Sequence, residues 1–190
     1  YVPADFILPG NGSSELISLL IETRAPKHTL ILGPTYSEYS RELSFSGSTQ
    51  DYYHLQEAED FELDVEDLCL TLLNGYDFLI LCNPNNPTGD LLPRAFIEEV
   101  LKAADNVVFV DEAYMEFAQK ESVIDLIDTY PNLIVLRTLS KAFALAGMRC
   151  GYLAADEALI EAIAKIKAPY NLNAFTQLFA PIVIRHREDI

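Results

Sequence analysis

The sequence has few basic residues, few cysteines, no tryptophan and no apolar run long enough to span a bilayer. It contains 13 Lys and Arg against 29 Asp and Glu, which gives a formal net charge of −16 at pH 7. Proteins that bind a nucleic-acid duplex need clustered Lys and Arg to displace counterions, so this charge argues against a nucleic-acid partner. The same charge disfavours an anionic membrane surface, and the short apolar runs disfavour a transmembrane helix. We therefore expect neither a nucleic acid nor a membrane as a partner.

The cysteines and histidines lack the spacing of a disulfide framework or a metal site. They are Cys69, Cys82, Cys150, His28, His54 and His186. An odd number of widely spaced cysteines favours buried free thiols in a reducing compartment over a disulfide or a metal role. The histidines show no ligand spacing among themselves or with the cysteines, so we expect no zinc. With no signal peptide in the sequence, we expect a cytoplasmic location.

Short apolar, β-rich runs alternate with longer amphipathic segments, which is the pattern of an α/β fold. The predicted strands are residues 29–32, 51–55, 78–82, 107–110, 133–136 and 150–154. The predicted helices are residues 13–23, 34–46, 64–73, 93–104, 122–128, 156–165 and 173–187. Nearly continuous apolar strands indicate a mostly parallel sheet that is covered by helices on both faces. We therefore predict one domain, a three-layer α/β/α sandwich that spans residues 1–190.

Four residues mark predicted helix starts. Asp64 and Ser122 each have an aspartate three positions later and are typical of N-terminal caps. Pro34 and Pro93 suit the first turn of a helix, where the missing N–H of proline costs nothing.

In parallel sheets, ligands bind beyond the carboxyl ends of the strands, so the residues that follow each strand are the first functional candidates. Gly12, Ser13 and Ser14 follow the apolar run 6–8 and open a helical pattern. Glycine lets the backbone approach an anion, and the free N–H groups of a helix start point toward it. The third glycine of a dinucleotide fingerprint is missing. A phosphate cradle and a plain glycine turn with a serine cap both explain this block.

Three further blocks follow the next predicted strands. Tyr36 either stacks on a flat heterocycle or packs a helix onto the sheet, and the local sequence favours packing. In the loop 83–89 (Asn-Pro-Asn-Asn-Pro-Thr-Gly), the prolines and the glycine fix an irregular turn that leaves an asparagine amide free to donate. Asp111 follows four apolar residues, and a buried carboxylate is costly unless it is paired. It either pairs with a protonated ring nitrogen or caps the next turn, and Tyr114 can reach a neighbouring oxygen.

The most specific block contains a lysine directly after a predicted strand. Lys141 has hydroxyls beside it at Thr138 and Ser140, and Arg149 follows eight positions later. A lysine can capture an aldehyde covalently, and an arginine can grip a phosphate with two hydrogen bonds. This combination favours a function over a solvated surface lysine. It predicts that the chain holds pyridoxal 5'-phosphate, an aldehyde that carries a phosphate.

In this order, the blocks resemble the fold type I pyridoxal phosphate enzymes of the aspartate aminotransferase superfamily. Within it, residues 83–89, 110–114 and 137–147 are most similar to histidinol-phosphate aminotransferases. Threonine-phosphate decarboxylases have a similar loop at residues 83–89 but tend to differ around Lys141. The resemblance extends across nearly the whole chain.

The resemblance implies a role for each candidate residue. Lys141 would be the Schiff-base lysine, and Asp111 would pair with the pyridinium nitrogen. Asn86 and Tyr114 would hydrogen-bond the phenolic oxygen of the ring, and Tyr36 would stack on the ring. The phosphate would be held by Gly12, Ser13, Ser14, Thr138 and Arg149. Burial of the lysine amine and nearby cations would help it to lose a proton.

The resemblance also implies an activity and an assembly. We expect transamination between an amino donor, histidinol phosphate, and the 2-oxo acid 2-oxoglutarate. Alternatives are a threonine-phosphate decarboxylase and a pyridoxal phosphate-binding sensor domain without turnover. Family members are homodimers with an N-terminal arm and a C-terminal small domain, which supplies the arginine that grips the substrate carboxylate. Nothing in this sequence matches those parts, so we expect the chain to be the large, cofactor-binding domain only.

Overall fold

The computed structural model describes residues 2–104, 106–118 and 120–187. One seven-stranded sheet crosses the molecule in the order β1-β7-β6-β5-β4-β2-β3. Its strands are β1 Ile7–Gly10, β2 His28–Gly33, β3 Thr49–His54, β4 Phe78–Cys82, β5 Val107–Asp111, β6 Leu133–Thr138 and β7 Gly151–Ala154. Strands β2 to β6 pair in parallel with one another, while β7 is antiparallel to both β1 and β6. The predicted mostly parallel sheet is confirmed.

Helices cover both faces of this sheet. They are α1 Ser13–Arg24, α2 Glu38–Ser46, α3 Val65–Leu72, α4 Arg94–Ala103, α5 Met115–Ala118, α6 Glu157–Ile166 and α7 Ala174–Arg185. Short 3-10 turns lie at Ala4–Phe6, Glu57–Glu59, Ile124–Asp128 and Ala146–Met148. Among the residues described, no helix has the length and apolar character needed to cross a membrane.

The core has two parts because successive side chains of a strand point to opposite faces. Phe109 packs with residues of α1, α2 and α6 on one face of the sheet. Its neighbour Val108 packs with residues of α3 and α4 on the other face. Burial of one such side chain contributes about 1.5–3 kcal/mol, so strands buried on both faces anchor the whole domain. The three-layer α/β/α sandwich is confirmed.

Most predicted elements agree with the structure to within a few residues, and strand β4 agrees at both ends. Strand β1 and helix α5 were not predicted, because four residues carry too little periodicity. The predicted cap at Asp64 is confirmed, since its carboxylate accepts a hydrogen bond of 3.0 Å from the amide of Asp67. Pro93 was predicted in the first turn of a helix; it occupies the N-cap position of α4, one residue before the first turn.

Two predicted helix starts were wrong. Helix α2 begins at Glu38 rather than at Pro34. The carbonyl of Pro34 accepts a hydrogen bond of 2.8 Å from the side chain of Asn85, which holds this segment outside the helix. The segment after Ser122 forms a 3-10 turn, not an α-helix, because the Ser122 hydroxyl donates to the buried carboxylate of Glu112.

Candidate active site

The predicted functional blocks meet at one edge of the sheet. The parallel strands β2, β4, β5 and β6 all end at this edge. Strand β1 runs in the same direction as β6, because each is antiparallel to β7. The loop from β1 into α1 therefore reaches the same edge as the loops that carry Tyr36, Asn86, Asp111 and Lys141.

Asp111 is the last residue of β5 and only 4% of it is exposed. Its Oδ2 accepts a hydrogen bond of 2.7 Å from the hydroxyl of Tyr39, and its Oδ1 accepts one of 2.9 Å from the amide of Ala113. Burial raises the pKa of Asp111 to about 6, against the opposing effect of these hydrogen bonds and of the positive charge on Lys141. The carboxylate is therefore held in place, ionised at neutral pH and close enough to Lys141 for their charges to interact.

The two tyrosines of the next block have different positions. Tyr39 is fully buried and packs edge-on against Phe109, with 6.2 Å between ring centroids. Tyr36 is 39% exposed and lies edge-on to Tyr39 at 5.5 Å. Burial, followed by the negative charge of Glu38, raises the pKa of Tyr36, so its hydroxyl stays neutral. The helix-packing role that the sequence suggested for Tyr36 belongs to Tyr39, and the ring of Tyr36 is left accessible to a ligand.

The asparagines of the loop after β4 divide between structural and accessible positions. Asn83 closes the loop, because its Oδ1 accepts a hydrogen bond of 2.7 Å from the amide of Leu92. Asn85 accepts one of 2.9 Å from the hydroxyl of Thr35 and so joins the loops after β2 and β4. The amide nitrogen of Asn86 lies 3.5 Å from the hydroxyl of Tyr114. The structure therefore brings together the pair that was predicted to contact a phenolic oxygen.

Lys141 lies beside this pair. Its Nζ is 5.2 Å from the centroid of the Tyr114 ring, within the range of a cation–π contact. The residue as a whole is exposed, so the burial that the sequence analysis invoked for the amine is not supplied by the described residues.

A glycine corner connects the start of α1 to Arg149. Gly12 has a φ of +86°, and a side chain at this position would place its Cβ 2.7 Å from Cζ of Arg149. A Cβ at Gly151 would lie 3.1 Å from the amide nitrogen of Ser13. The first amides of a helix have no acceptor within the helix, and among the residues described no side chain caps the start of α1, so the amides of Ser13 and Ser14 are available to a ligand. Backbone amides and a guanidinium therefore meet where an anion would be favoured.

The two hydroxyls before Lys141 also differ. Thr138 accepts a hydrogen bond of 3.2 Å from the amide of Ser140 and donates one of 3.3 Å to the carbonyl of Cys150. The hydroxyl oxygen of Ser140 is buried and has no hydrogen-bond partner among the described residues. A buried, unpaired hydroxyl costs about 1–3 kcal/mol, which a bound ligand could offset. Ser140 is thus the better placed of the two to receive a ligand oxygen.

Sequence analysis missed an ion cluster behind the site. Glu112 is fully buried, and its carboxylate is 2.9 Å from Arg137 and also accepts the amide of Val123 at 2.8 Å. Arg137 pairs in addition with Glu116 at 2.6 Å. The sequence did carry one signal of this cluster, since Arg137 is a charged residue inside an otherwise apolar strand. The cluster ties the segment that carries Tyr114 to the end of β6.

A cavity of about 530 Å³ adjoins the Asn86–Tyr114 pair. It is lined on one side by Asn86 and Pro87 and on the other by Tyr114 and Phe117. This volume lies in the range of small-molecule sites. A smaller cavity of about 160 Å³ lies at the opposite end of the sheet, beside Tyr76.

The fold and this arrangement define an α/β domain whose candidate ligand site lies at the carboxyl ends of a mostly parallel sheet. Residues 1–189 match the family model described as "Aminotransferase class I and II". The chain therefore belongs to the family of class I and II aminotransferases.

The chain is similar to named members of this family. It is 40% identical over 194 residues to a histidinol-phosphate aminotransferase from Desulfitobacterium hafniense, covering 99% of this chain and 54% of that protein. Among solved structures, the histidinol-phosphate aminotransferase from Clostridium acetobutylicum has a TM-score of 0.84 at 31% identity, covering 92% of this chain and 53% of that one. The L-threonine-O-3-phosphate decarboxylase from Porphyromonas gingivalis has a TM-score of 0.86 at 26% identity, covering 98% and 55%. The chain spans about half the length of the curated relatives it matches.

Proposed function

We propose that the full-length protein is a pyridoxal phosphate-dependent aminotransferase that moves an amino group between histidinol phosphate and 2-oxoglutarate. The observation that carries this proposal is the position of Lys141, whose Nζ lies over the ring of Tyr114. The hydroxyl of that ring is 3.5 Å from the amide of Asn86. The same strand edge carries the buried carboxylate of Asp111.

The residues at the site fit this cofactor. Bound there, pyridoxal phosphate would supply an aldehyde carbon and a ring that withdraws electrons. The start of α1 and Arg149 would hold its phosphate, together with the unpaired hydroxyl of Ser140. We retain Thr138 as a predicted phosphate contact, although its hydroxyl already has partners in the protein.

Each remaining residue would have a separate task. Asp111 would hold a proton on the ring nitrogen, since a carboxylate favours a nearby positive charge. Asn86 and Tyr114 would orient the phenolic oxygen, and the exposed ring of Tyr36 would pack on the flat face of the cofactor. Lys141 would anchor the aldehyde, and its free amine would move the proton of the α-carbon of the amino donor.

Covalent labelling tests this assignment. The full-length protein is incubated with pyridoxal phosphate and reduced with borohydride, and the modified residue is mapped by mass spectrometry. We expect the label on Lys141 and none in the Lys141→Ala variant. The matched control is Lys27→Ala, which removes an exposed lysine at the amino end of β2 and should still be labelled at Lys141. A label that never appears on Lys141 would sink the proposal.

A second candidate activity is decarboxylation of threonine phosphate. The similarity to the Porphyromonas gingivalis decarboxylase structure supports it, although the identity to histidinol-phosphate aminotransferases is higher. Glutamate formed from histidinol phosphate and 2-oxoglutarate would be measured against carbon dioxide released from threonine phosphate. Carbon dioxide without glutamate would favour the second activity.

We also propose that the full-length protein is a cytoplasmic homodimer, as the family resemblance implies. Helix α7 supports an interface of some kind, because Phe175, Leu178 and Ile182 are exposed on it. Sedimentation of the full-length protein measures its mass in solution, and a monomer at micromolar concentration would contradict the proposal.

A further inference from the structure

Tyr39 lies behind the candidate site and is fully buried. Its hydroxyl donates a hydrogen bond of 2.7 Å to Oδ2 of Asp111. Phenylalanine would supply the same packing against Phe109, and a buried hydroxyl is costly unless it is bonded. The hydroxyl therefore has a use beyond packing, which is to donate to the carboxylate at the end of β5.

The direction of this hydrogen bond is defined. Burial, followed by the negative charge of Asp111, raises the pKa of Tyr39 well above its usual value, so the phenol keeps its proton and acts as the donor. Asp111 receives the amide of Ala113 on its other oxygen. An ionised carboxylate has about four acceptor positions, so these two donors leave room for a third.

The electrostatic surroundings of Asp111 come from several elements. Tyr39 and Tyr36 approach it from α2 and the loop before α2, and Cys82 approaches it from β4. Lys141 provides a positive charge from the segment after β6, and Glu112 provides a negative charge from the neighbouring position. Burial favours the neutral acid, while the hydrogen bond from Tyr39 is the largest influence that favours the carboxylate.

We propose that Tyr39 is a positioning residue, whose hydroxyl fixes Oδ2 of Asp111 and keeps this carboxylate charged for a protonated ring nitrogen. Tyr39 also touches the exposed ring of Tyr36, at 5.5 Å between centroids. It therefore holds two residues that would contact the same ligand ring, one by a hydrogen bond and one by packing. The part of this inference that concerns the ring rests on the proposed function, whereas the effect on Asp111 does not.

The first test is done on the cofactor-free, full-length protein. The carboxyl signal of Asp111 is followed by carbon-13 NMR against pH, and it is assigned by its loss in Asp111→Asn. In Tyr39→Phe, we expect the midpoint of this titration to rise by about one pH unit, because one hydrogen bond to the charged form is lost. An unchanged midpoint in a folded Tyr39→Phe protein overturns the proposal.

A matched control comes from the other end of the sheet. Tyr76 also donates a hydrogen bond to an aspartate, at 3.0 Å from Oδ2 of Asp51. Tyr76→Phe should leave the Asp111 midpoint unchanged. If Tyr39→Phe does not fold, 3-fluorotyrosine at position 39 keeps the shape and is a stronger donor. The midpoint should then fall, and a midpoint that stays or rises overturns the proposal.

The second test concerns the cofactor. In Tyr39→Phe, we expect pyridoxal phosphate to bind about tenfold more weakly. The cofactor absorbance measures the dissociation constant. Tyr76→Phe should bind the cofactor with the same affinity as the unmodified protein. Equal affinity in Tyr39→Phe overturns the role toward the ring. If the unmodified protein forms no bond to the cofactor at Lys141, the proposed function fails, while the NMR result still decides whether Tyr39 acts on Asp111.

Discussion

The two ends of the sheet each contain a tyrosine hydroxyl bonded to an aspartate, yet the two carboxylates behave in opposite ways. At the carboxyl end, Tyr39 and Asp111 are buried, and burial raises the pKa of Asp111 to about 6. Near the amino end, Asp51 is exposed, and its hydrogen bonds from His28 and then Tyr76 lower its pKa. A hydrogen bond from tyrosine is thus outweighed by desolvation at Asp111, whereas at Asp51 the hydrogen bonds outweigh desolvation. The candidate site lies at the end where burial prevails.

The largest expected effect is on activity, and it compares Lys141 at the carboxyl end of the sheet with Lys27 at the amino end. Under the proposed function, Lys141→Ala should lower transaminase activity at least about a thousandfold, because the proposed nucleophile and base are lost together. Lys27→Ala should keep full activity. Initial rates of glutamate formation by the full-length proteins measure both. Comparable losses of activity in the two variants would contradict a special role for the lysine at the carboxyl end of the sheet.

The next largest effect is on stability, and it compares the loss of a buried ion pair with the loss of an exposed one. Arg137→Met leaves the carboxylate of Glu112 buried without its cation, and it should lower the free energy of unfolding by about 3–5 kcal/mol. The same substitution at Arg41, an exposed residue of α2 that pairs with Glu38 and Glu42 of the same helix, should have no resolvable effect. Urea denaturation at neutral pH measures both. Equal stabilities of the two variants would contradict a structural role for the cluster.

Asp111 and Asp51 should make the free energy of unfolding depend on pH in opposite directions. Because the folded state raises the pKa of Asp111 to about 6, its contribution is present below about pH 4 and is lost as pH rises through about 6. Asp111→Asn should remove this decline, of about 1–3 kcal/mol. Because the pKa of Asp51 is lowered, its contribution is present at neutral pH and is lost as pH falls through the folded pKa.

Urea unfolding of the cofactor-free protein between pH 3 and 8 measures these slopes. Asp51→Asn is the matched control, and it should remove stability at neutral pH rather than restore it. Parallel curves for Asp111→Asn and the unmodified protein would show that burial does not dominate at Asp111.

The smallest effect compares two glycines in the left-handed region. Gly12 at the site has a φ of +86°, and Gly75 at the other end has a φ of +89°. Alanine should cost about 1 kcal/mol of stability at either position because of this conformation. At Gly12 the new Cβ would also meet Arg149, whereas a Cβ at Gly75 would have no atom of the described residues within 4 Å.

Gly12→Ala should therefore weaken pyridoxal phosphate binding about tenfold, and Gly75→Ala should leave it unchanged. Absorbance titration gives the two dissociation constants. Equal affinities would argue against an anion site at the start of α1.

Particular residues show how far sequence reasoning reached. The bounds of β4 and the cap at Asp64 follow from local patterns, and both are confirmed. The local sequence favoured a helix-packing role for Tyr36, but in the structure Tyr39 has that role, because only the tertiary structure decides which of the two rings is buried. Pro34 was predicted as a helix start because the hydrogen bond that holds it outside the helix leaves no local signal. That bond comes from Asn85, 51 positions away in the sequence.

The sequence by itself determined the α/β class, the blocks that follow the strands and the family, because periodicity and short motifs are local properties of the chain. Only the tertiary structure decided that the hydroxyl of Ser140 has no hydrogen-bond partner within the described part of the chain and that Lys141 is exposed. It also decided that the hydroxyl of Tyr39 meets Asp111, across 72 positions of sequence. Burial and hydrogen-bond partners depend on which segments the fold brings together, and these contacts set the charge of Asp111.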